Sequence, residues 1–158
     1  MSSETSATLA LPDEAATQAL GRALAAALQP GEAVCLSGPL GAGKSTLARA
    51  LVRALTTPDE EVPSPTFTLV QFYEGTRLNV AHFDLYRLSS PDEAYEIGLD
   101  EALNEGAAVI EWPERLAGRL PRDRLDIVIA LSDMDAGREA RLTPHGAWKG
   151  RDLGGTGT

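Results

Sequence analysis

Two stretches in the first third of the chain repeat apolar residues at the spacing of an amphipathic helix. Residues 13–28 carry alanine or leucine at every third or fourth position, and Pro30-Gly31 follows as a stop signal. Residues 45–55 show the same period, with leucine and alanine forming one stripe. We therefore predict two helices, the first of which packs on a sheet beside the strand that precedes the second.

Shorter apolar or alternating runs predict strands. A continuous apolar run, as at 107–110, is typical of a buried parallel strand, whereas alternation of apolar and polar residues is typical of a strand with one exposed face. Two pairs of adjacent runs are joined by turn residues and predict antiparallel hairpins, and we expect the second hairpin at the sheet edge. The predicted strands are 8–11, 32–37, 66–73, 77–84, 107–110, 124–131 and 138–143.

The order of these elements predicts the fold class. A capping sequence at Ser90 predicts a further helix, and a short helix is also predicted over 99–104. Strands that alternate with helices indicate an α/β domain with a mixed, mainly parallel central sheet, antiparallel hairpins and flanking helices. We place this single domain at 1–143 and expect a flexible tail at 144–158.

Residues 38–46, GPLGAGKST, match the phosphate-binding pattern GxxxxGK[ST] in full. The motif lies between a predicted strand and a predicted helix, which is the setting that its mechanism requires. Glycines let backbone amides point at phosphate oxygens, Lys44 would reach the β and γ phosphates, and the Ser45 hydroxyl would bind Mg²⁺. We therefore predict a P-loop NTPase, against the alternative of an ordinary glycine-rich turn. The predicted nucleotide contacts in the motif are Gly38, Gly41, Ala42, Gly43, Lys44, Ser45 and Thr46.

Two carboxylates stand at the ends of apolar strands. Asp84 ends the predicted strand 77–84, and Glu111 follows the apolar run 107–110. A carboxylate at a strand end near a phosphate site is the expected position of a Mg²⁺ ligand, direct or through water. We therefore predict catalytic and metal-binding roles for both acids, with Lys44 as the third catalytic residue. The alternatives are that Asp84 caps the following turn and that Glu111 pairs with Lys44.

Further side chains could approach the nucleotide. His82 shares a strand face with Asp84, because side chains two apart on a strand point the same way. Trp112 is predicted beside the nucleotide, with a core position as the alternative. Arg138 is predicted as a further nucleotide contact, with a solvated surface position as the alternative. The side chains whose roles the sequence leaves open are Glu14, Thr17, Arg87 and Arg138.

Two features near the motif have competing interpretations. The proline-stiffened loop 62–66 lies where nucleotide hydrolases place a switch segment, but a rigid connector fits equally well. Arg87 could stabilise charge on the transferring phosphoryl group, or it could pair with Asp92 or Glu93. The sequence alone does not decide either case.

Composition narrows the function classes. The chain has 158 residues. Its formal net charge of −9 and pI near 4.7 argue against direct binding of a nucleic acid backbone by this chain alone, because such binding uses Lys and Arg to neutralise phosphates. Cys35 is the only cysteine, so an intrachain disulfide and a cysteine metal cluster are both excluded. There is no apolar run of membrane-spanning length, and the N-terminus lacks the basic-then-apolar order of a secretion signal. We expect a cytoplasmic protein.

Six segments in order resemble the TsaE (YjeE) family of small bacterial P-loop ATPases, which take part in threonylcarbamoyladenosine (t6A) modification of tRNA. They cover residues 11–142. HFDLYRL followed by IEWPE is the specific part, because a P-loop by itself occurs in many families. The segments are LPDEAAT, GPLGAGKST, SPTFTLV, HFDLYRL, IEWPERL and GREARL.

The resemblance implies a weak ATPase that depends on partner proteins. Family members work with TsaB and TsaD, where ATP binding and hydrolysis support turnover rather than threonylcarbamoyl transfer, and tRNA is contacted only through the partners. By resemblance, Lys44 and Ser45 bind ATP and Mg²⁺, and Asp84 belongs to an HxDxYR motif. Glu111 and Trp112 occupy the family's carboxylate and tryptophan positions. Two departures are Pro39, where Asp is usual, and Ser45, where Thr is usual; neither removes a ligand.

Two other function classes fit parts of the sequence. A nucleotide-gated binding module, with incidental hydrolysis, would use the same P-loop to control affinity for a protein partner. A small-molecule kinase is supported by the P-loop alone. Such kinases usually carry several arginines on a lid over the phosphates, and the segment after Arg87 has no such cluster.

Overall fold

The computed structural model describes residues 7–39, 43–63, 69–131 and 137–151. Within these ranges the strands are β1 (Ala7–Leu11), β2 (Ala33–Ser37), β3 (Val70–Tyr73), β4 (Val80–Asp84), β5 (Ala107–Glu111), β6 (Arg124–Leu131) and β7 (Arg138–His145). The α-helices are α1 (Glu14–Ala27), α2 (Lys44–Leu55), α3 (Pro91–Glu96) and α4 (Leu99–Glu105). Short 3₁₀ turns cover Pro113–Leu116 and Gly146–Trp148.

The described strands pair into one sheet in the order β1-β7-β6-β2-β5-β4-β3. Its centre is parallel: β2 pairs with β5 and β6, and β4 pairs with β5. The flanking pairs β3–β4, β6–β7 and β1–β7 are antiparallel. The predicted fold class is therefore confirmed. The carboxyl ends of β2, β4, β5 and β6 reach one edge of the sheet, where ligands of such folds bind.

One feature of the predicted topology is wrong. We expected the β6–β7 hairpin at the sheet edge, but β6 pairs with β2 on its other side and β7 is covered by β1. The alternating pattern of β6 arises because one of its faces is exposed, as Val128 shows at 46 % exposure. Alternation reports which face of a strand is buried, whereas the number of its neighbours leaves no such periodic signal.

Both faces of the central strands are buried, which explains their continuous apolar sequences. In β2, Val34 and Leu36 contact the core that α1 and α2 cover, while Ala33 and Cys35 contact the core that includes residues of α3 and α4. Each helix therefore fixes the sheet from one side. None of the helices in the described part of the chain combines the length and apolarity needed to cross a bilayer.

The structure describes folded chain beyond the domain boundary that we expected after residue 143. β7 continues to His145, and Trp148, in the following 3₁₀ turn, is only 2 % exposed. Arg151 donates from both terminal nitrogens to Glu32, at 2.7 and 2.8 Å. Trp148 and the ion pair between Arg151 and Glu32 help to anchor this segment, and such isolated contacts leave no periodic signal in a sequence. Residues 152–158 of the expected tail lie outside the described residues.

Candidate functional site

The strand–loop–helix setting predicted for residues 38–46 is confirmed, since β2 ends at Ser37 and α2 begins at Lys44. Gly38 has φ +138°, and a Cβ there would lie 2.2 Å from the carbonyl oxygen of Ile129. Gly43 is the N-cap of α2, with φ +108° in the left-handed region. Backbone geometry thus requires glycine at both ends of the loop. The predicted contacts Gly41 and Ala42 lie outside the described residues.

Lys44 is buried at the start of α2, with 4 % exposure. Its Nζ donates a hydrogen bond of 2.6 Å to the carbonyl oxygen of Gly38 and lies 3.4 Å from the ring centroid of Trp112. Burial lowers the pKa of Lys44, while the nearby carboxylates of Glu111, Glu114 and Asp84 act in the opposite direction. The ammonium group therefore lies among three acids that favour its charged form.

Asp84 and Glu111 lie opposite each other in the β4–β5 register at the carboxyl ends of both strands. Both are buried, at 7 % and 2 % exposure. Glu111 Oε1 accepts a hydrogen bond of 3.4 Å from the Ser45 hydroxyl, which joins the acid to the first turn of α2. Asp84 Oδ1 accepts a hydrogen bond from the backbone N–H of Tyr86, as in the turn-capping alternative. The three residues predicted to bind metal therefore lie together at the carboxyl ends of β4 and β5.

His82 was predicted on the face of Asp84, but its partner was missed. His82 Nε2 lies 2.6 Å from Glu111 Oε2, and both side chains are almost fully buried. The contact follows from the parallel pairing of β4 with β5, in which His82 lies opposite Val109, two residues before Glu111. The available signal was a polar residue within an apolar strand, two positions before an acid.

Trp112 and Tyr86 form an aromatic pair beside Lys44. Their ring centroids are 4.9 Å apart, and Tyr86 is 42 % exposed. Trp112 has φ +61°, a left-handed conformation that is unusual for a large side chain and occurs where the chain turns out of β5. The pair therefore connects the buried lysine to the protein surface. Sequence analysis did not predict Tyr86, although it lies two residues after Asp84 in HFDLYRL.

A family model described as "Threonylcarbamoyl adenosine biosynthesis protein TsaE" matches residues 11–140. The chain belongs to the TsaE family. A Rickettsia felis protein named "tRNA threonylcarbamoyladenosine biosynthesis protein TsaE" is 38 % identical over 125 residues, covering 79 % of this chain and 73 % of the relative. A Bacillus subtilis protein of the same name is 37 % identical over 136 residues, covering 85 % and 82 %.

A solved structure supports the TsaE assignment. The crystal structure of Bacillus subtilis YdiB superposes with a TM-score of 0.75 and 29 % sequence identity, covering 92 % of this chain and 89 % of YdiB. The similarity extends over nearly the whole of both chains. The fold and the family resemblance inferred from the sequence motifs are therefore both confirmed.

Among the remaining predicted residues of this TsaE chain, Thr46 and Glu14 line one cleft of about 310 Å³ between α1 and α2. Thr17 is buried within the fold, at 4 % exposure. Arg138 begins β7, where its Nη1 donates to the carbonyl oxygen of Gly137. The structure thus places Glu14, but not Thr17, on a surface that adjoins the P-loop helix.

The structure describes the two expected partners of Arg87 and only part of the expected switch loop. Asp92, an expected partner of Arg87, forms an ion pair with Arg119. Glu93, the other expected partner, accepts a hydrogen bond from the backbone N–H of Ser89. In the expected switch loop, residues 64–66 lie outside the described residues.

The oxygen ligands at this site suit Mg²⁺. Mg²⁺ is usually bound by one or two carboxylates together with substrate phosphates and waters, rather than by an all-protein cage. Within the described ranges, no cluster of three or more His, Cys, Asp or Glu side chains suited to a metal occurs. Ser45, Asp84 and Glu111 supply a hydroxyl and two carboxylates, so the donor set fits Mg²⁺ with a nucleotide.

Proposed function

We propose that this protein binds ATP with Mg²⁺ at its P-loop and is a weak ATPase required for t6A biosynthesis on tRNA. In this proposal it acts with TsaB and TsaD and supports their turnover without transferring the threonylcarbamoyl group. The observation that carries the proposal is the hydrogen bond between Ser45 and Glu111, which joins the P-loop helix to a buried strand-end acid. The names of the TsaE relatives support the pathway.

Each site residue has a distinct proposed role. The backbone amides at the start of α2 and the Lys44 ammonium bind the phosphates, which carry negative charge. Mg²⁺, when bound by Ser45 and an acid, would neutralise charge on the phosphate oxygens. Glu111 and Asp84 would hold Mg²⁺, directly or through water, and would orient the attacking water. Trp112 lies against the lysine and limits its positions.

Partner dependence is supported by charge. A protein with a net charge of −9 is repelled by an RNA backbone, so contact with tRNA requires basic surfaces on other subunits.

Glu14, in the cleft beside Thr46, is a candidate for contact with the nucleoside end of ATP. Arg138 stays a proposed nucleotide contact.

The test is ATP hydrolysis by the protein assembled with TsaB and TsaD. Lys44→Ala is expected to weaken ATP affinity and abolish turnover, because it removes the charge that binds the phosphates. Glu111→Gln is expected to lower hydrolysis by about 10² and to weaken ATP binding only in the presence of Mg²⁺, whereas Lys44→Ala weakens it with or without the metal. The matched control is Glu101→Gln on the exposed surface of α4, which should hydrolyse ATP at the wild-type rate. Wild-type hydrolysis by Glu111→Gln would reject the role of Glu111.

The second candidate is a nucleotide-gated binding module, with hydrolysis incidental. The contact between the tilted rings of Tyr86 and Trp112 favours it, because it connects Lys44 to the exposed surface. Calorimetric titration of TsaB–TsaD with the protein in ATP and then in ADP distinguishes the two. Equal affinities in both nucleotides would remove the gating function and leave hydrolysis as the role.

A further inference from the structure

His82 is a buried polar residue on a strand that is otherwise apolar until its last position. Its side chain is 2 % exposed, and Nε2 lies 2.6 Å from Glu111 Oε2. Its other ring nitrogen, Nδ1, is buried without a hydrogen-bond partner in the described residues. A buried polar atom without a partner is costly, so an apolar side chain would suit the packing better. The contact with Glu111 is the compensating feature.

The carboxylate of Glu111 is held at both oxygens. Oε2 accepts from His82 and Oε1 accepts from the Ser45 hydroxyl. An imidazole that carries a proton on Nε2 donates it to the Glu111 carboxylate. This arrangement sets the rotation of the carboxylate about its terminal bond, a torsion that is otherwise broad.

We infer that His82 is a positioning residue, which holds Glu111 so that Oε1 faces Ser45 and the bound metal–nucleotide complex. The inference rests on the proposed function, because it assigns His82 a part in the same Mg²⁺ site. His82 touches neither nucleotide nor metal and acts only through Glu111. In metal sites, residues that form hydrogen bonds to the ligands orient those ligands. Replacing such a residue typically costs 10- to 100-fold in metal affinity.

A merely structural role would give a different result. If His82 only filled space in the core, its replacement would change stability without a selective effect on metal-dependent binding. The opposite face of β4 offers a control for core packing, because Phe83 is fully buried there and points away from Glu111. Substitutions at 82 and 83 therefore separate positioning from packing.

The experiment measures the dissociation constant of ADP by calorimetry, once with excess Mg²⁺ and once with EDTA. The ratio of the two constants is the Mg²⁺ enhancement. His82→Leu is expected to reduce this enhancement about 10-fold while leaving the EDTA value within two-fold. His82→Gln, whose amide nitrogen can donate to Glu111, is expected to restore most of the enhancement. Phe83→Leu should leave the enhancement at the wild-type value.

The outcomes separate this inference from the proposed function. A wild-type enhancement that persists in His82→Leu overturns the positioning role alone. An equal loss in His82→Leu and His82→Gln also overturns it, because the hydrogen bond would then be irrelevant. If His82→Leu does not fold, the comparison of His82→Gln with His82→Asn decides, since the shorter amide cannot reach Glu111 from the same backbone. A wild-type protein without any Mg²⁺ enhancement overturns both proposals.

Discussion

The charged side chain of Lys44 contacts both an aromatic ring and a backbone carbonyl group. Its ammonium lies 3.4 Å from the ring centroid of Trp112 and donates to the carbonyl oxygen of Gly38. A phosphate competes strongly for that ammonium, because its negative charge adds an attraction that the neutral carbonyl oxygen of Gly38 lacks. Nucleotide binding should therefore move the cation relative to the indole.

Tryptophan fluorescence tests this movement. ATP is expected to change the emission of Trp112, because the position of a cation over an indole alters its excited state. The signal should be retained in Trp148→Phe, which removes the other tryptophan, and lost in Trp112→Phe. A nucleotide-dependent signal that survives in Trp112→Phe would place the change elsewhere in the molecule.

Cys35 is expected to be chemically inert in the folded protein. Its side chain has no exposed surface, and burial raises its pKa, with the charge of Asp126 acting in the same direction. The thiolate is the reactive form, so a raised pKa lowers reactivity. Reaction with a chromogenic disulfide reagent should be at least about 100-fold slower in buffer than in denaturant. Equal rates in the two conditions would contradict this burial.

At the residue scale, the sequence indicated which side chains are candidates for the site, but it did not indicate which of them contact one another. Lys44, Ser45, Asp84 and Glu111 could be chosen because a motif and strand ends mark them. The partner of His82 depends on which strand lies beside β4, and no local pattern reports that. Non-local pairing therefore sets the limit of prediction at this scale.

Helix packing gives the clearest prediction at the element scale. A Cβ on Gly21 of α1 would lie 2.7 Å from the Cβ of Ala50 on α2. Gly21→Ala should therefore destabilise the protein by about 1–2 kcal/mol, because overpacking outweighs the gain in helix propensity. Urea denaturation measures the change.

The control for Gly21→Ala is Ala19→Gly, at an exposed position of the same helix. It should cost about 1 kcal/mol through propensity alone. A stabilised Gly21→Ala protein would show that α1 and α2 are farther apart than described. The order of the two variants tests the packing directly.

Local periodicity located α1 and α2 within a few residues of their bounds, as for α1, which was predicted over 13–28. It failed for the surroundings of the β6–β7 hairpin. The edge position was expected because β6 alternates, but β1, from the other end of the chain, pairs with β7. The local pattern predicts where a helix or strand lies, whereas the strands that pair with it depend on residues far away in the chain.

At the scale of the whole molecule, the segment that ends at Arg151 is anchored to Glu32, the residue just before β2. Glu32 is 5 % exposed and accepts two hydrogen bonds from Arg151, whose guanidinium also lies 4.4 Å from the ring centroid of Trp148. Arg151→Ala leaves a buried carboxylate without its cation. We expect a loss of about 2–3 kcal/mol in the free energy of unfolding, measured in urea.

Two companion variants complete that test. Combining Arg151→Ala with Glu32→Gln should recover part of the loss, because the uncompensated charge is then removed. Lys149→Ala, an exposed neighbour, should change stability by less than about 0.5 kcal/mol. If Arg151→Ala were as stable as Lys149→Ala, the ion pair with Glu32 would contribute nothing measurable to stability.

We propose that the P-loop helix and the ends of β4 and β5 form one site for Mg²⁺ and ATP. A crystal structure with Mg²⁺ and a non-hydrolysable ATP analogue tests it most directly. We predict Ser45 Oγ about 2.1 Å from the metal, and Asp84 or Glu111 bound to it directly or through one water. The phosphates should lie at the start of α2 with Lys44. A triphosphate bound elsewhere, or a metal contacted by neither acid, would contradict the account.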